Sequence, residues 1–183
     1  MKRRKVIAIV GMPGAGKGLV SKAANSRGIP VLVCGDIIRE ETERRGLPPT
    51  PENMGDVMLA LRRQEGLAAV AERLIPKIQS SSSAVVVVEG VRSMDEVDAL
   101  RRNHDVAVVA AHASPKTRYE RLTMRGRSDD PKNWQEFVER DSRELSVGIG
   151  NVIALAQEML VNEASMDEMT AASERLISKM MKE

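Results

Sequence analysis

Short apolar runs rich in valine and isoleucine alternate with longer stretches of helical period along this chain. That alternation is the pattern of βαβ units and a parallel sheet. Five runs predict strands: Val6 to Val10, Val31 to Val33, Ala84 to Val88, Val106 to Ala111 and Met159 to Val161. The third and fourth are almost continuously apolar, which predicts cover on both faces, because a half-exposed strand alternates apolar with polar residues. A three-layer α/β/α arrangement follows.

The helical stretches carry their own punctuation. Leu19, Val20, Ala23 and Ala24 share a face directly after a glycine-rich loop, and Gly28 with Pro30 stops that helix. Leu67, Val70, Ala71, Leu74, Ile75 and Ile78 form an i, i+3, i+4 stripe, so the segment from about Gly66 to Gln79 is expected to pack on the sheet. Ser93 to Glu96 and Ser165 to Glu168 have the spacing of capping boxes, and Ser114-Pro115 joins a serine cap to a proline in the first turn. Ser80 to Ser83 is a short connection, and Leu47-Pro48-Pro49-Thr50-Pro51 declares no element. With no internal repeat and no linker, residues 1–183 are expected to form one domain.

Composition narrows the function classes. A chain of 183 residues buries roughly 70% of its unfolded surface, so a core forms without staples. The single cysteine, Cys34, has no partner for a disulfide or a zinc site, which points to a reducing compartment. Met1 to Lys5 followed by Val6 to Val10 has the basic and apolar parts of a signal peptide, but the apolar run is short and meets a glycine loop. Val85 to Val88 falls far below the roughly 18 apolar residues that cross a membrane. We therefore expect a soluble, cytoplasmic protein with no membrane partner. The 28 Lys and Arg nearly balance the 26 Asp and Glu, and Tyr119, Trp134 and Phe137 offer no extended stacking surface, which argues against a nucleic-acid partner.

The strongest chemical signal is Gly11-Met12-Pro13-Gly14-Ala15-Gly16-Lys17-Gly18, which matches G-x-x-x-x-G-K and lies between the first strand and a helix. Glycines there let backbone N–H groups turn toward phosphates, the helix N-terminus adds positive potential, and Lys17 reaches the β and γ phosphates of ATP. The next position is Gly18 where a Ser or Thr hydroxyl usually touches Mg²⁺, and Leu19 follows. Magnesium is then expected to be held mainly by phosphate oxygens and water.

Three further constellations are candidates. Gly35-Asp36-Ile37-Ile38-Arg39 places a carboxylate at the C-terminal edge of the sheet with an arginine one turn later, although Asp36 also suits a helix cap. Glu89-Gly90-Val91-Arg92 follows the third strand, where Glu89 would order water around Mg²⁺ and Arg92 would touch phosphate; otherwise Glu89 pairs with a basic residue. Arg118, Arg121 and Arg125 share a helix face with Arg127 just beyond it. The polar loop Gly126 to Pro131 then reads as a small lid, over about 118–144, that closes on a transferring phosphoryl group, with Arg125 and Arg127 neutralising its charge. Arg140, Asp141, Arg143 and Glu144 read as ion pairs that position the lid, and His112, at the end of the fourth strand, as a partly buried structural histidine, with a proton carrier as the alternative.

The glycine loop resembles that of adenylate kinases, and Gly35-Asp36-x-x-Arg39 resembles the element by which nucleoside monophosphate kinases bind the acceptor phosphate. The same segment is similar to the acidic element of dephospho-coenzyme A kinases, whose aspartate orients or deprotonates an acceptor hydroxyl, which would make Asp36 catalytic. The succession of motifs from the first strand to the last helix resembles an archaeal group of P-loop proteins similar to both kinases. That resemblance implies a P-loop NTPase fold of the nucleoside monophosphate kinase type, with an acceptor-binding lobe near 36–66 and a small lid. It implies an ATP-dependent, Mg²⁺-requiring phosphotransferase acting on a small nucleotide-type acceptor, either a nucleoside monophosphate or dephospho-coenzyme A. Asp36, Arg39 and Arg92 would hold the acceptor, and Asn162 would lie at the adenine of ATP. The alternative is an ATP-binding regulatory NTPase with no small-molecule acceptor, which suits the missing hydroxyl at Gly18. No Asn-Lys-x-Asp guanine motif follows a strand, which argues against a GTPase.

Overall fold

In the computed structural model, which describes residues 3–127 and 130–182, β1 (Lys5–Val10) runs through the middle of a five-stranded sheet. Around it stand β2 (Val31–Val33), β3 (Val85–Glu89), β4 (Asp105–His112) and β5 (Glu158–Val161), in the order β2-β3-β1-β4-β5 with every neighbouring pair parallel. All five expected strands are present to within a residue at each end. Both faces are covered, as their apolar continuity required. Val6, Ala8 and Val10 of β1 turn to one face, against α2 (Cys34–Arg44), α4 (Ala69–Ser80), α5 (Met94–Asn103) and the short α8 (Ile149–Ala154). Ile7 and Ile9 turn to the other, against α1 (Lys17–Asn25) and α9 (Met166–Met180). The protein is thus a three-layer α/β/α fold, and no described helix is long and apolar enough to cross a membrane.

The stripe on α4 packs as expected from Val70 to Ile78, but the helix begins at Ala69, so Leu67 lies outside it and is exposed. At Ser165 both halves of the capping box form. At Ser93 only one does: its hydroxyl accepts from the Glu96 N–H, while the Glu96 carboxylate accepts from the Arg92 N–H one residue earlier. The segment after Leu47 contains a helix that the sequence did not declare, α3 (Pro51–Glu65), capped by Thr50 and begun by proline. Between β4 and β5 lie α6 (Pro115–Arg125) and α7 (Trp134–Val147), joined by the polar loop that the sequence reads as a lid, of which Ser128 and Asp129 lie outside the described residues, as does Lys2 of the basic N-terminal run. His112, expected to be partly buried, is exposed at the end of β4.

Candidate active site

The glycine loop sits where β1 gives way to α1 at the C-terminal edge of the sheet. Gly16 caps α1 in the left-handed region, and no side chain takes up the first N–H groups of the helix, which leaves them available to an anion. A Cβ at Gly16 would collide with the Asn162 amide nitrogen, and one at Gly14 would lie 2.8 Å from the Arg118 carbonyl, so β5 and α6 press the loop into shape. Lys17 Nζ donates to the carbonyls of Gly11 (2.6 Å) and Met12 (3.2 Å). Burial lowers its pKa to about 8, against the opposing fields of Glu89 and Glu144.

Glu89 ends β3 beside this lysine and accepts a hydrogen bond from the Ser21 hydroxyl. Ser21 lies one helical turn beyond Lys17 and is almost fully buried. Sequence reasoning looked for a hydroxyl at Gly18 or Leu19 and missed Ser21, although its i+4 spacing from Lys17 puts it on the same face. No group of three His, Cys, Asp or Glu side chains among the described residues could enclose a metal ion. A lone ordered carboxylate does fit the way Mg²⁺ is commonly bound, by one or two carboxylates plus substrate phosphates and water.

The arginines of α6 divide. Arg118, expected on an exposed stripe, is buried: its guanidinium donates to the carbonyls of Ala113 (3.2 Å) and Pro13 (3.1 Å), pairs with Asp141 of α7, and lies 4.9 Å from the Phe137 ring centre. Arg121 donates to the Asn162 carbonyl and side-chain oxygens. Asn162, expected at adenine, is buried and donates its amide to the Ala15 carbonyl (3.1 Å), bracing the phosphate loop from behind. Arg125 binds Asp130, which also accepts from the Arg127 N–H (2.9 Å). Although burial opposes it, Arg125 and that N–H hold the Asp130 carboxyl below its ordinary range. The Arg127 side chain is exposed and has no partner among the described residues.

A cavity of about 510 Å³ opens between α3 and α7. Ile38, Met54, Met58 and Leu59 give it an apolar wall, and Arg92, Arg140, Arg143 and Glu144 face that wall. The Arg92 Nε lies 2.7 Å from one Glu144 oxygen and its NH2 donates to the other at 3.1 Å, a two-point pair between the segment after β3 and α7. Of the four α7 residues read as ion pairs, Asp141 pairs with Arg118, Glu144 with Arg92 and Arg140 with Asp130, whereas Arg143 has no partner among the described residues. Asp36 and Arg39 go elsewhere: Gly35 and Ile38 line the cavity, whereas Asp36 and Arg39 are exposed and pair with each other at 3.0 Å. Asp36 caps no N–H, because α2 starts at Cys34.

With this geometry in hand, the chain can be set beside known proteins. A UPF0200 protein of Hyperthermus butylicus is 51% identical over 177 residues, covering 97% of this chain and 95% of its own length. The chain belongs to the UPF0200 family. Another UPF0200 protein, from Pyrococcus furiosus, is 51% identical over 178 residues, covering 94% and 96%. The profile of the AAA domain family matches residues 10–138, from the end of β1 into α7, so the chain also belongs to that P-loop family. Shikimate kinase from Bacteroides thetaiotaomicron superposes with a TM-score of 0.66 at 16% identity, covering 97% of this chain and 98% of its own. A gluconokinase from Sinorhizobium meliloti gives 0.58 at 19%, covering 98% and 95%. The fold of this UPF0200 chain is that of the P-loop kinases.

Proposed function

We propose that this protein transfers the γ-phosphoryl group of ATP to a small-molecule acceptor seated between α3 and α7. The observation that carries the reading is the adjacency of two built sites: Glu89, bonded to Ser21 on the helix that follows the phosphate loop, stands three residues before Arg92, which lines the cavity and pairs there with Glu144, and the fields of Arg92, Arg140 and Glu144 reach Lys17. A donor phosphate on Lys17 and an acceptor in the cavity would therefore meet within one enclosure. Gly11 to Gly18 and Leu19 would surround the phosphates, and Arg125 and Arg127 on the lid would neutralise the transferring group. Glu89, held by Ser21, would order water around Mg²⁺, whose chemistry is to screen the β and γ oxygens. The acceptor oxygen bonds to the γ phosphorus as the bond from phosphorus to the β–γ bridging oxygen breaks, and ADP leaves with that electron pair. Kinases acting on shikimate and gluconate share the fold, which supports a small-molecule acceptor.

The sequence motifs favour a nucleotide-type acceptor, a nucleoside monophosphate or dephospho-coenzyme A, held by Asp36 and Arg39. Those two side chains neutralise each other outside the cavity lining, so we propose the kinase reaction without that restriction. The test follows ADP and phosphorylated product with Mg²⁺-ATP and, in turn, AMP, CMP, UMP, GMP, dephospho-coenzyme A, hydroxy acids and sugars. Acceptor-dependent ADP formation, abolished by Lys17→Ala, is expected. Slow ATP loss unaffected by every acceptor would overturn the kinase reading in favour of a regulatory NTPase, the reading that Gly18 favours.

A further inference from the structure

The charges around the α3–α7 cavity decide which acceptor chemistry it tolerates. Three lining cations, Arg92, Arg140 and Arg143, are matched by three lining carboxylates, Glu52, Asp56 and Glu144. Two of the cations are committed: Arg92 grips Glu144 at two points, and Arg140 lies 3.7 Å from Asp130. Arg143 is the lining cation without a partner among the described residues. Glu52 and Asp56, one turn apart on α3, likewise have no partner among the described residues and face the cavity as hydrogen-bond acceptors only. Arg143, Glu52 and Asp56 are exposed at the cavity's open side, where a phosphate dianion would meet one free guanidinium and two free carboxylates, a net negative balance that disfavours it. A molecule that presents hydroxyl groups to the carboxylates and a single negative charge to Arg143 would satisfy all three.

Resting on the kinase reading above, we infer that the acceptor is a small hydroxylated compound with one anionic group, phosphorylated on a hydroxyl, and that Glu144 receives the proton. Among the cavity's lining carboxylates, Glu144 is the one with a buried oxygen, Oε2, that accepts no hydrogen bond from the described residues, and its field also reaches Lys17. Arg92 fixes its orientation from the β3 edge. In the step, the acceptor hydroxyl oxygen forms the new bond to the γ phosphorus, the bond to the bridging oxygen breaks, the hydroxyl proton passes to Glu144 and thence to water, and ADP departs. The anionic group of the acceptor lies at Arg143, and the remaining hydroxyls donate to Glu52 and Asp56. The apolar wall of Ile38, Met54, Met58 and Leu59 covers the carbon skeleton.

The experiment offers Mg²⁺-ATP with two groups of probes: hydroxylated monoanions (gluconate, glycerate, shikimate) and nucleoside monophosphates (AMP, CMP, UMP, GMP). Stimulation by a hydroxylated monoanion is expected, with the product a phosphate monoester by phosphorus NMR. Arg143→Ala should then raise the KM for that acceptor at least tenfold and leave the KM for ATP within twofold. Glu144→Gln should lower kcat roughly 100-fold, the usual cost of a lost general base, at nearly unchanged acceptor KM, with Glu144→Asp recovering part of the rate; a merely structural role would shift KM and melting temperature together. Stimulation by a nucleoside monophosphate, with Arg39→Ala rather than Arg143→Ala raising its KM, would overturn this inference and leave the kinase reading standing. Stimulation by neither group would overturn this inference, and acceptor-independent ATP loss across the wider panel would overturn the kinase reading as well.

Discussion

If Lys17 meets the phosphates as proposed, raising the pH from 7.5 to 9.5 should progressively weaken ATP binding, because this lysine loses its charge within that window. Lys17 is buried against the loop carbonyls, and burial brings its pKa from 10.5 to about 8. At one pH unit above that value only about one molecule in eleven carries the charge. A complex that requires the protonated form then binds about tenfold more weakly, a loss of about 1.4 kcal/mol. Binding must also take up a proton, about half of one at a pH equal to the pKa and nearly a full one at a unit above it. Isothermal titration in two buffers of different ionisation enthalpy measures both quantities, and Lys17→Met should abolish the proton uptake. The nucleotide-free fold should show the opposite trend. Since the folded pKa lies below the unfolded one, the unfolded chain binds more protons between about 8 and 10.5, and stability contributed by Lys17 rises with pH across that range. A dissociation constant flat from pH 7.5 to 9.5, or no proton uptake, would refute the reasoning.

Gly18→Ser should raise stability by about 0.5 kcal/mol, since the residue is helical and a Cβ there meets nothing within 4 Å; the restored hydroxyl should also tighten Mn²⁺ binding in the nucleotide complex, as titrated by electron paramagnetic resonance. Asn162→Ala removes the brace on Ala15 and a partner of Arg121, so it should cost about 1–3 kcal/mol in thermal melts and raise the KM for ATP; unchanged ATP affinity would show that the loop holds its shape alone. Glu41→Gln breaks a buried carboxylate shared by Arg44, Arg45 and Arg73, which links α2 to α4, and should cost about 2 kcal/mol at pH 7 in urea melts. The Arg44 guanidinium foremost, then Arg45 and Arg73, holds the Glu41 carboxyl well below the usual range, so its contribution is present above the ordinary carboxylate pKa and fades as pH falls below it; the variant should flatten that acid dependence.

What was legible in the sequence was local or periodic. The strands showed as valine runs, and the phosphate loop showed because its glycines and Lys17 are fixed by spacing within a single turn of chain. Helix α3 escaped because prolines precede it and Gly55 interrupts it, although Thr50-Pro51 is a cap followed by an N1 proline and Met54, Val57, Met58 and Leu61 keep helical spacing. The element Gly35-Asp36-x-x-Arg39 was visible as a pattern, yet which side of α2 faces the cavity depends on where α3 and α7 pack, and that is a tertiary outcome. The i, i+3, i+7 arginines likewise looked equivalent until α7 supplied Asp141 to bury Arg118 and β5 supplied Asn162 to occupy Arg121. Glu144 and Arg143 were noticed only as charge alternation, because the wall they face comes from a helix some eighty positions earlier in the chain.

The buried guanidinium of Arg118 works as a mechanical joint. It holds the phosphate loop through the Pro13 carbonyl and α7 through Asp141 at the same time. On the proposed function, this shared contact predicts that a shift of α7 straining the Asp141 pair is felt at Pro13, and that a phosphate tightening the loop pulls on α7 in return. Thermodynamic reciprocity then requires that whatever factor ATP imposes on the affinity of the cavity, an occupant of the cavity imposes on the affinity for ATP. An inhibitor wedged between α3 and α7 would on this basis alter nucleotide binding without touching the nucleotide.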